Sequence, residues 1–463
     1  MRVALITLGC RANQADSMAL EDGLRSRGAQ MVSADEAADV YVINSCTVTL
    51  AADADTRKLA RRLKKRQPDG RVVVTGCYAQ VAATELEAMA EIDDVVGNDG
   101  KPTLVARILG QAAPKAPLEP ATGRRAGRSW SARVGGDDGV QELPDANTRP
   151  FLKVQDGCDY SCAFCIIPRA RGVSRSLAPD RVQADALRYA ELGARELVLT
   201  GIHLGHWGRD LSPRRPFAAL VEALADRLMA DGRIRRLRLG SLEPNEVTDE
   251  LLDLVADHPL LCEHLHLPLQ SGDDEVLRRM RRLYRRDDFV QTVERVRRRL
   301  PDAALGVDVL VGHPGEDAAA FAATRDLLRD LPLTYLHVFP FSPRPGTAAA
   351  EMSDQVHPAE RTLRAAALNR LSAAHQLAFN RRQVGKTVEI LLLRSRQADG
   401  ASWRGLSRRF VQVQLQAPPG WVGQRGQLVQ AQVTEAGGQR VLAQPAGAAA
   451  VARAGEVADH GCA

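Results

Sequence analysis

The chain has no run of about 18 or more apolar residues, so the sequence offers no candidate transmembrane helix. Met1-Arg2-Val3-Ala4-Leu5-Ile6 runs straight into a strand pattern, without the charged and apolar regions of a secretory signal. A cytoplasmic location with no membrane partner is expected. Charge imbalance is also small: 62 Lys and Arg against 57 Asp and Glu leave a net +5. The imbalance is local, however. Between Ala378 and Pro445 ten Lys or Arg face three Asp or Glu, which points to a polyanionic partner for that stretch. Cysteines are few, eight in 463 residues. In a reducing compartment, clustered cysteines bind metal or do chemistry more often than they form disulfides.

Six of the eight cysteines fall into two sets of three. Cys158, Cys162 and Cys165 stand close together in Gly157-Cys158-Asp159-Tyr160-Ser161-Cys162-Ala163-Phe164-Cys165. Cys10, Cys46 and Cys77 are far apart, but each follows a short apolar run that reads as a strand. Thiolates hold iron–sulfur clusters, and a cubane held by three of them leaves one iron open to another ligand. A structural zinc site is the alternative for the compact set. Such sites usually complete four ligands from two short pairs, and no matching fourth Cys or His lies nearby. For the dispersed set the alternative is three unrelated buried thiols.

An α/β fold is expected for most of the chain. Over residues 1–105, strands at Val3–Leu8, Val40–Ile43 and Arg71–Thr75 alternate with helices at Ala15–Arg27 and through Arg57 to Arg66, the pattern of a parallel α/β sheet. Ligands of such sheets bind beyond the carboxyl ends of the strands, where all three dispersed cysteines sit. Residues 106–147, rich in Ala, Pro, Gly and Arg, read as a linker. From 148 to 377 a second series begins with Phe151–Gln155. Strand patterns follow at Glu196–Thr200, Arg236–Leu239, His264–Leu267, Gly306–Val311 and Leu333–Val338, enough for a partial (β/α) barrel. Residues 378–445 change to short strands at Thr387–Leu393, Phe410–Leu415 and Gln427–Val433, as in a small β-barrel. Residues 446–463 are Ala-rich and read as a tail carrying Cys462.

The compact cysteine run, with an aromatic before its last cysteine, resembles the signature of the radical S-adenosylmethionine (SAM) superfamily. Further motifs resemble the methylthiotransferases within it: Thr7-Leu8-Gly9-Cys10 with Asn13, Asn44-Ser45-Cys46-Thr47-Val48-Thr49, Gly76-Cys77-Tyr78-Ala79-Gln80, and Cys165-Ile166-Ile167-Pro168 with Arg171-Gly172. So do Ser241-Leu242-Glu243-Pro244, His266-Leu267-Pro268-Leu269-Gln270-Ser271-Gly272 and Phe341-Ser342-Pro343-Arg344-Pro345-Gly346-Thr347. Arg11-Ala12 and His313 depart from the residues common there, which bears on substrate rather than on cluster ligands.

The resemblance implies an amino-terminal cluster domain, a radical SAM barrel and a carboxy-terminal RNA-binding TRAM barrel. It implies two [4Fe-4S] clusters, one on Cys158, Cys162 and Cys165 that binds SAM and an auxiliary one on Cys10, Cys46 and Cys77 that carries the sulfur. Partners implied are tRNA, a reduced donor of the flavodoxin or ferredoxin type and a sulfur source. Asn13-Gln14, Cys46-Thr47-Val48-Thr49 and the run at Cys77 look most like the branch that acts on N6-threonylcarbamoyladenosine beside the anticodon, at position 37. The other branches act on N6-isopentenyladenosine in tRNA or on a ribosomal-protein aspartate, and a zinc-stabilised RNA-binding protein is the non-enzyme alternative. Expected SAM contacts are Phe164 beside the adenine, Thr200 and Gly201 near the amino group and Glu243 near the ribose.

Three further expectations concern charged and aromatic residues. At least one of Arg169, Arg171 and Arg344 is expected to pair with the substrate carboxylate. His203, His206, His264, His266 and His337 are expected to be satisfied core histidines, and Arg278 to Arg286 a solvated helix face. Arg404, Arg408 and Arg409 with Trp403, Phe410 and Trp421 are expected to form an RNA surface.

Overall fold

A computed structural model describes residues 1–111, 148–395, 402–418 and 420–446. The linker from 112 onward and the tail from 447, with Cys462, lie outside the described residues. The chain divides into two units, Met1–Asn369 and Arg370–Ala463.

The first unit opens on a five-stranded parallel sheet: β1 (Arg2–Thr7), β2 (Gln30–Met31), β3 (Val40–Ser45), β4 (Arg71–Gly76) and β5 (Asp94–Val96), in the order β2-β1-β3-β4-β5. The strands Val40-Tyr41-Val42-Ile43 and Val72-Val73-Val74 are apolar at every position because helices cover both faces. Tyr41, Ile43, Val72 and Val74 pack into one core, and Val40, Val42 and Val73 into the other. The helix Arg11–Arg25 begins four residues before the apolar periodicity does, with Cys10 as its N-cap. The short edge strands β2 and β5 carry too little pattern to be read from sequence.

Six parallel strands form the second half of this unit: β6 (Phe151–Lys153), β9 (Glu196–Thr200), β10 (Arg236–Arg238), β11 (His264–Gln270), β12 (Ala304–Val311) and β13 (Tyr335–Pro340), with β7 (Gln155–Asp156) and β8 (Arg175–Ser176) as a small antiparallel pair before the second strand. They pair as β6-β9-β10 and β11-β12-β13, and the parallel bridges Leu237–Leu261 and Ser241–His266 join the two sets into one open barrel. Its floor holds a buried ion cluster. Glu196 accepts from Arg238 Nε at 2.8 Å and has Arg149 and Arg236 at 3.3 and 3.5 Å. Burial alone would raise Glu196, but these guanidiniums outweigh it and bring its pKa down to about 2.

In the second unit β14 (Thr387–Ser395), β15 (Ser402–Ser407), β16 (Gln412–Gln416), β17 (Leu428–Ala436) and β18 (Val441–Pro445) close a barrel in the order β14-β15-β16-β18-β17. Trp403 and Trp421 are buried. That corrects the expected RNA surface: both indoles are buried instead of facing a ligand, leaving Phe410 as the part-exposed aromatic beside Arg408 and Arg409.

Candidate active site

Three adjacent strands bring the dispersed cysteines together. Cys46 and Cys77 directly follow β3 and β4, and Cys10 lies just past β1, so residues remote in sequence share one rim. The approach is close enough to require glycine. Gly9 has φ +93°, and a Cβ there would stand 2.6 Å from both Cβ and Sγ of Cys46. Asn13 locks the rim by donating through Nδ2 to the carbonyls of Leu8 (2.8 Å) and Ser45 (2.9 Å). Cys46 and Cys77 are buried and Cys10 is exposed. Burial, and then the neighbouring Cys77 and Cys10, push the Cys46 thiol up to about 12.

The compact triplet sits at the mouth of the barrel. The Cys158 amide donates to Gly172 O at 3.0 Å, and the Cys158 sulfur accepts from the Tyr160 amide at 3.4 Å. Arg282 Nη1 donates to Cys162 Sγ at 3.2 Å, and its other arm pairs with Glu243. His203 Nδ1 lies 3.4 Å from Cys158 Sγ, with its Nε2 held by Glu246 at 2.8 Å. Burial raises Cys158 and Cys165 to about 12, with their fellow cysteines adding to it. Cys46, Cys158 and Cys165 thus resist ionising without a cationic partner, which the irons of a cluster supply. The donor sets fit that group.

Between the triplets lies a cavity of about 450 Å³. Cys10 and Arg11 line one side, and Thr200, Gly201, His203 and Glu243 line the side next to the compact triplet. His266, Asp308 and His337, from neighbouring strands, form part of the wall. Phe164 lies elsewhere, packing with Ala163, Met280 and Phe341 and meeting the His313 ring edge-on. Among the expected histidines, His264 bonds Tyr335 Oη at 2.8 Å. His206 departs from expectation: neither ring nitrogen has a hydrogen bond among the described residues, and Glu246 Oε1 lies 3.6 Å from Nε2. His337 departs too, at 46% exposed.

The arginine expectations need correction. Arg171 is buried and donates to Asn13 Oδ1 (2.5 Å), Asp16 (3.0 Å) and Asp156 (2.9 Å). Arg344 is buried against Thr47 (2.6 Å) and Asp53 (2.5 Å). Arg169 donates to Pro345 O at 3.0 Å. Arg171 and Arg344 tie the first sheet to the barrel, and their burial against fixed carboxylates leaves them unsuited to a substrate carboxylate. Arg282 likewise leaves the solvated face expected for Arg278–Arg286. Its contact with Cys162 and Glu243 was not legible in the sequence, because neighbouring arginines such as Arg278 are exposed and nothing in their spacing marks one that turns inward.

Fold and site together define a radical SAM protein. The radical SAM superfamily model matches residues 152–328, and the model of the uncharacterized protein family UPF0004 matches residues 2–97. A solved radical SAM methyltransferase, TsrM of Kitasatospora setae, shares the fold at a TM-score of 0.54 over 75% of each chain, with 18% identity. The chain belongs to the radical SAM methylthiotransferases, enzymes that use SAM and an iron–sulfur cluster. It is 38% identical over 354 residues to the threonylcarbamoyladenosine tRNA methylthiotransferase MtaB of Bacillus subtilis, covering 76% of both chains. It is 36% identical to the tRNA-2-methylthio-N(6)-dimethylallyladenosine synthase of Frankia alni, over 93% of this chain and 86% of that one. With the ribosomal protein uS12 methylthiotransferase RimO of Chloroflexus aurantiacus it shares 32% identity, over 89% and 91%.

Proposed function

We propose that this enzyme replaces C2–H of N6-threonylcarbamoyladenosine, beside the tRNA anticodon, with C2–SCH3, using two [4Fe-4S] clusters. The observation that carries this reading is a cavity lined by Cys10 of one triplet and by His203 and Glu243, which reach Cys158 directly and Cys162 through Arg282. When bound, the clusters supply the electron that splits SAM and the sulfur that is transferred.

The chain's own residues do the rest. Cys158, Cys162 and Cys165 would hold one cluster and Cys10, Cys46 and Cys77 the other. Glu246 fixes the His203 ring, so that its Nδ1 faces Cys158. Arg282 braces Cys162 and orients Glu243 toward the cavity. Thr200, Gly201 and Glu243 line the part of the cavity nearest the compact triplet and are our proposed SAM contacts, with Phe164 behind that triplet. The second unit, read as a TRAM barrel, would hold tRNA through Arg404, Arg408 and Arg409, with an external reductant and sulfur source completing the cycle.

The threonylcarbamoyl branch is favoured because the cavity wall carries Arg11, His266, Asp308 and His337. An isopentenyl group would leave such polar groups unpaired. Anaerobically reconstituted enzyme, incubated with tRNA bearing either modification and followed by nucleoside mass spectrometry, tests this. The 2-methylthio product should form on threonylcarbamoyladenosine. Efficient turnover of isopentenyladenosine instead would overturn the branch and leave the chemistry standing.

A further inference from the structure

We infer that Arg11 is the cation that recognises the carboxylate of the threonylcarbamoyl group and so sets substrate choice. The inference rests on the substrate reading above. Arg11 is partly buried, lines the cavity and makes no hydrogen bond or ion pair among the described residues. Its situation differs from that of the other arginines around the site. Arg171 and Arg344 are committed to carboxylates across the sheet–barrel junction, Arg282 to Glu243 and Cys162, and Arg169 to Pro345 O. Two carboxylates share the cavity wall, and neither forms an ion pair with Arg11. Glu243 holds Arg282, while Asp308 lies 3.4 Å from His266 Nε2 and 3.5 Å from His337 Nδ1. Arg11 is therefore left without an ion pair among the described residues.

Its place in the chain agrees with the chemistry. Arg11 directly follows Cys10 and opens the helix Arg11–Arg25, so its side chain starts from the edge of the dispersed triplet. In adenine, C2 and the N6-bearing carbon both flank N1. A base whose C2 faces Cys10 therefore presents its N6 substituent to the same stretch of wall. The positive charge of Arg11 already acts on His266: burial first, then His337 and Arg11, lower its pKa to about 4 against the opposing effect of Asp308. A guanidinium in this position offers two parallel donors to a carboxylate, a match an apolar isopentenyl group cannot return.

The test is a double comparison with reconstituted holoenzyme and anticodon stem-loop RNA. One RNA carries threonylcarbamoyladenosine and a second carries its carboxylate methyl ester; binding is read by fluorescence anisotropy without reductant. Wild type should bind the acid about tenfold or more tightly than the ester, as expected for losing a charge-assisted pair. Arg11→Gln should bring the ratio close to one, and Arg11→Lys, which keeps the charge but not the two parallel donors, should restore part of it. Equal binding of acid and ester by wild type overturns the assignment without any variant needing to fold. A ratio unchanged in Arg11→Gln overturns it as well. If wild type, once reductant is added, fails to modify the acid-bearing RNA at all, the substrate reading falls and this inference falls with it.

Discussion

Arg171 Nη2 donates to Asn13 Oδ1 at 2.5 Å, joining residues 158 apart in sequence. Asn13 seals the rim on which Cys10, Cys46 and Cys77 converge, and Arg171 lies just past the loop of Cys158, Cys162 and Cys165. One hydrogen bond thus couples the positions of both triplets. Around it Asp16 accepts from Lys101 (2.6 Å) and Arg171, both buried, and from the part-buried Lys153. Burial would raise the Asp16 pKa, but these three cations outweigh it and hold the carboxyl well below the usual range.

Breaking this network should be costly in a specific way. Asp16→Ala leaves three cations with one partner fewer, a loss of about 3–5 kcal/mol for a disrupted buried pair. Guanidinium unfolding at pH 7 measures it. A cost below about 1 kcal/mol, as for an exposed ion pair, would contradict the buried network.

The two triplets should separate by substitution. Cys162→Ala should abolish SAM cleavage while roughly half the iron remains, and Cys46→Ala should keep SAM cleavage but lose methylthio transfer. Iron and acid-labile sulfide analysis with a SAM-cleavage assay reads both. Loss of all iron in either folded variant would refute independent sites. Zinc in place of iron in anaerobically purified protein would refute the cluster reading itself.

Acid should destabilise the barrel through Glu196. Its folded pKa of about 2 lies below the ordinary Glu value of about 4.3, so the folded state binds fewer protons than the unfolded one in between. The stability it contributes is full above about pH 4 and drains away as pH falls through about 2. Glu196→Gln should lower stability at pH 7, by stranding Arg238 and Arg236, and should flatten the acid limb of a stability–pH curve. An acid limb as steep as the wild type's would place that titration on other carboxylates.

Replacing Arg408 and Arg409 together by Gln should weaken tRNA binding and make the dependence of log affinity on log salt shallower. The slope should fall by about 0.7–0.9 for each phosphate that is no longer neutralised. Titrations at several salt concentrations test this. An unchanged slope would move the RNA-binding groups off this face of the second unit.

Much of this protein was legible in its sequence. Apolar runs such as Val40-Tyr41-Val42-Ile43 and Glu196–Thr200 marked strands, because a strand buried on both faces must be apolar along most of its length. The C-x3-C-x2-C run and three cysteines at strand ends marked the candidate ligands, since parallel sheets place function at that edge. Roles that depend on where a long side chain ends were hidden. Arg11, Arg171, Arg282 and Arg344 are alike in composition and local pattern. The tertiary structure alone commits three of them to buried carboxylates and leaves Arg11 facing the cavity. It alone buries Trp403, on β15, and Trp421, in the loop before β17. Local pattern fixes backbone form, whereas the partner of a guanidinium or an indole is set by long-range packing, which brings together residues such as Asn13 and Arg171 that share no sequence neighbourhood.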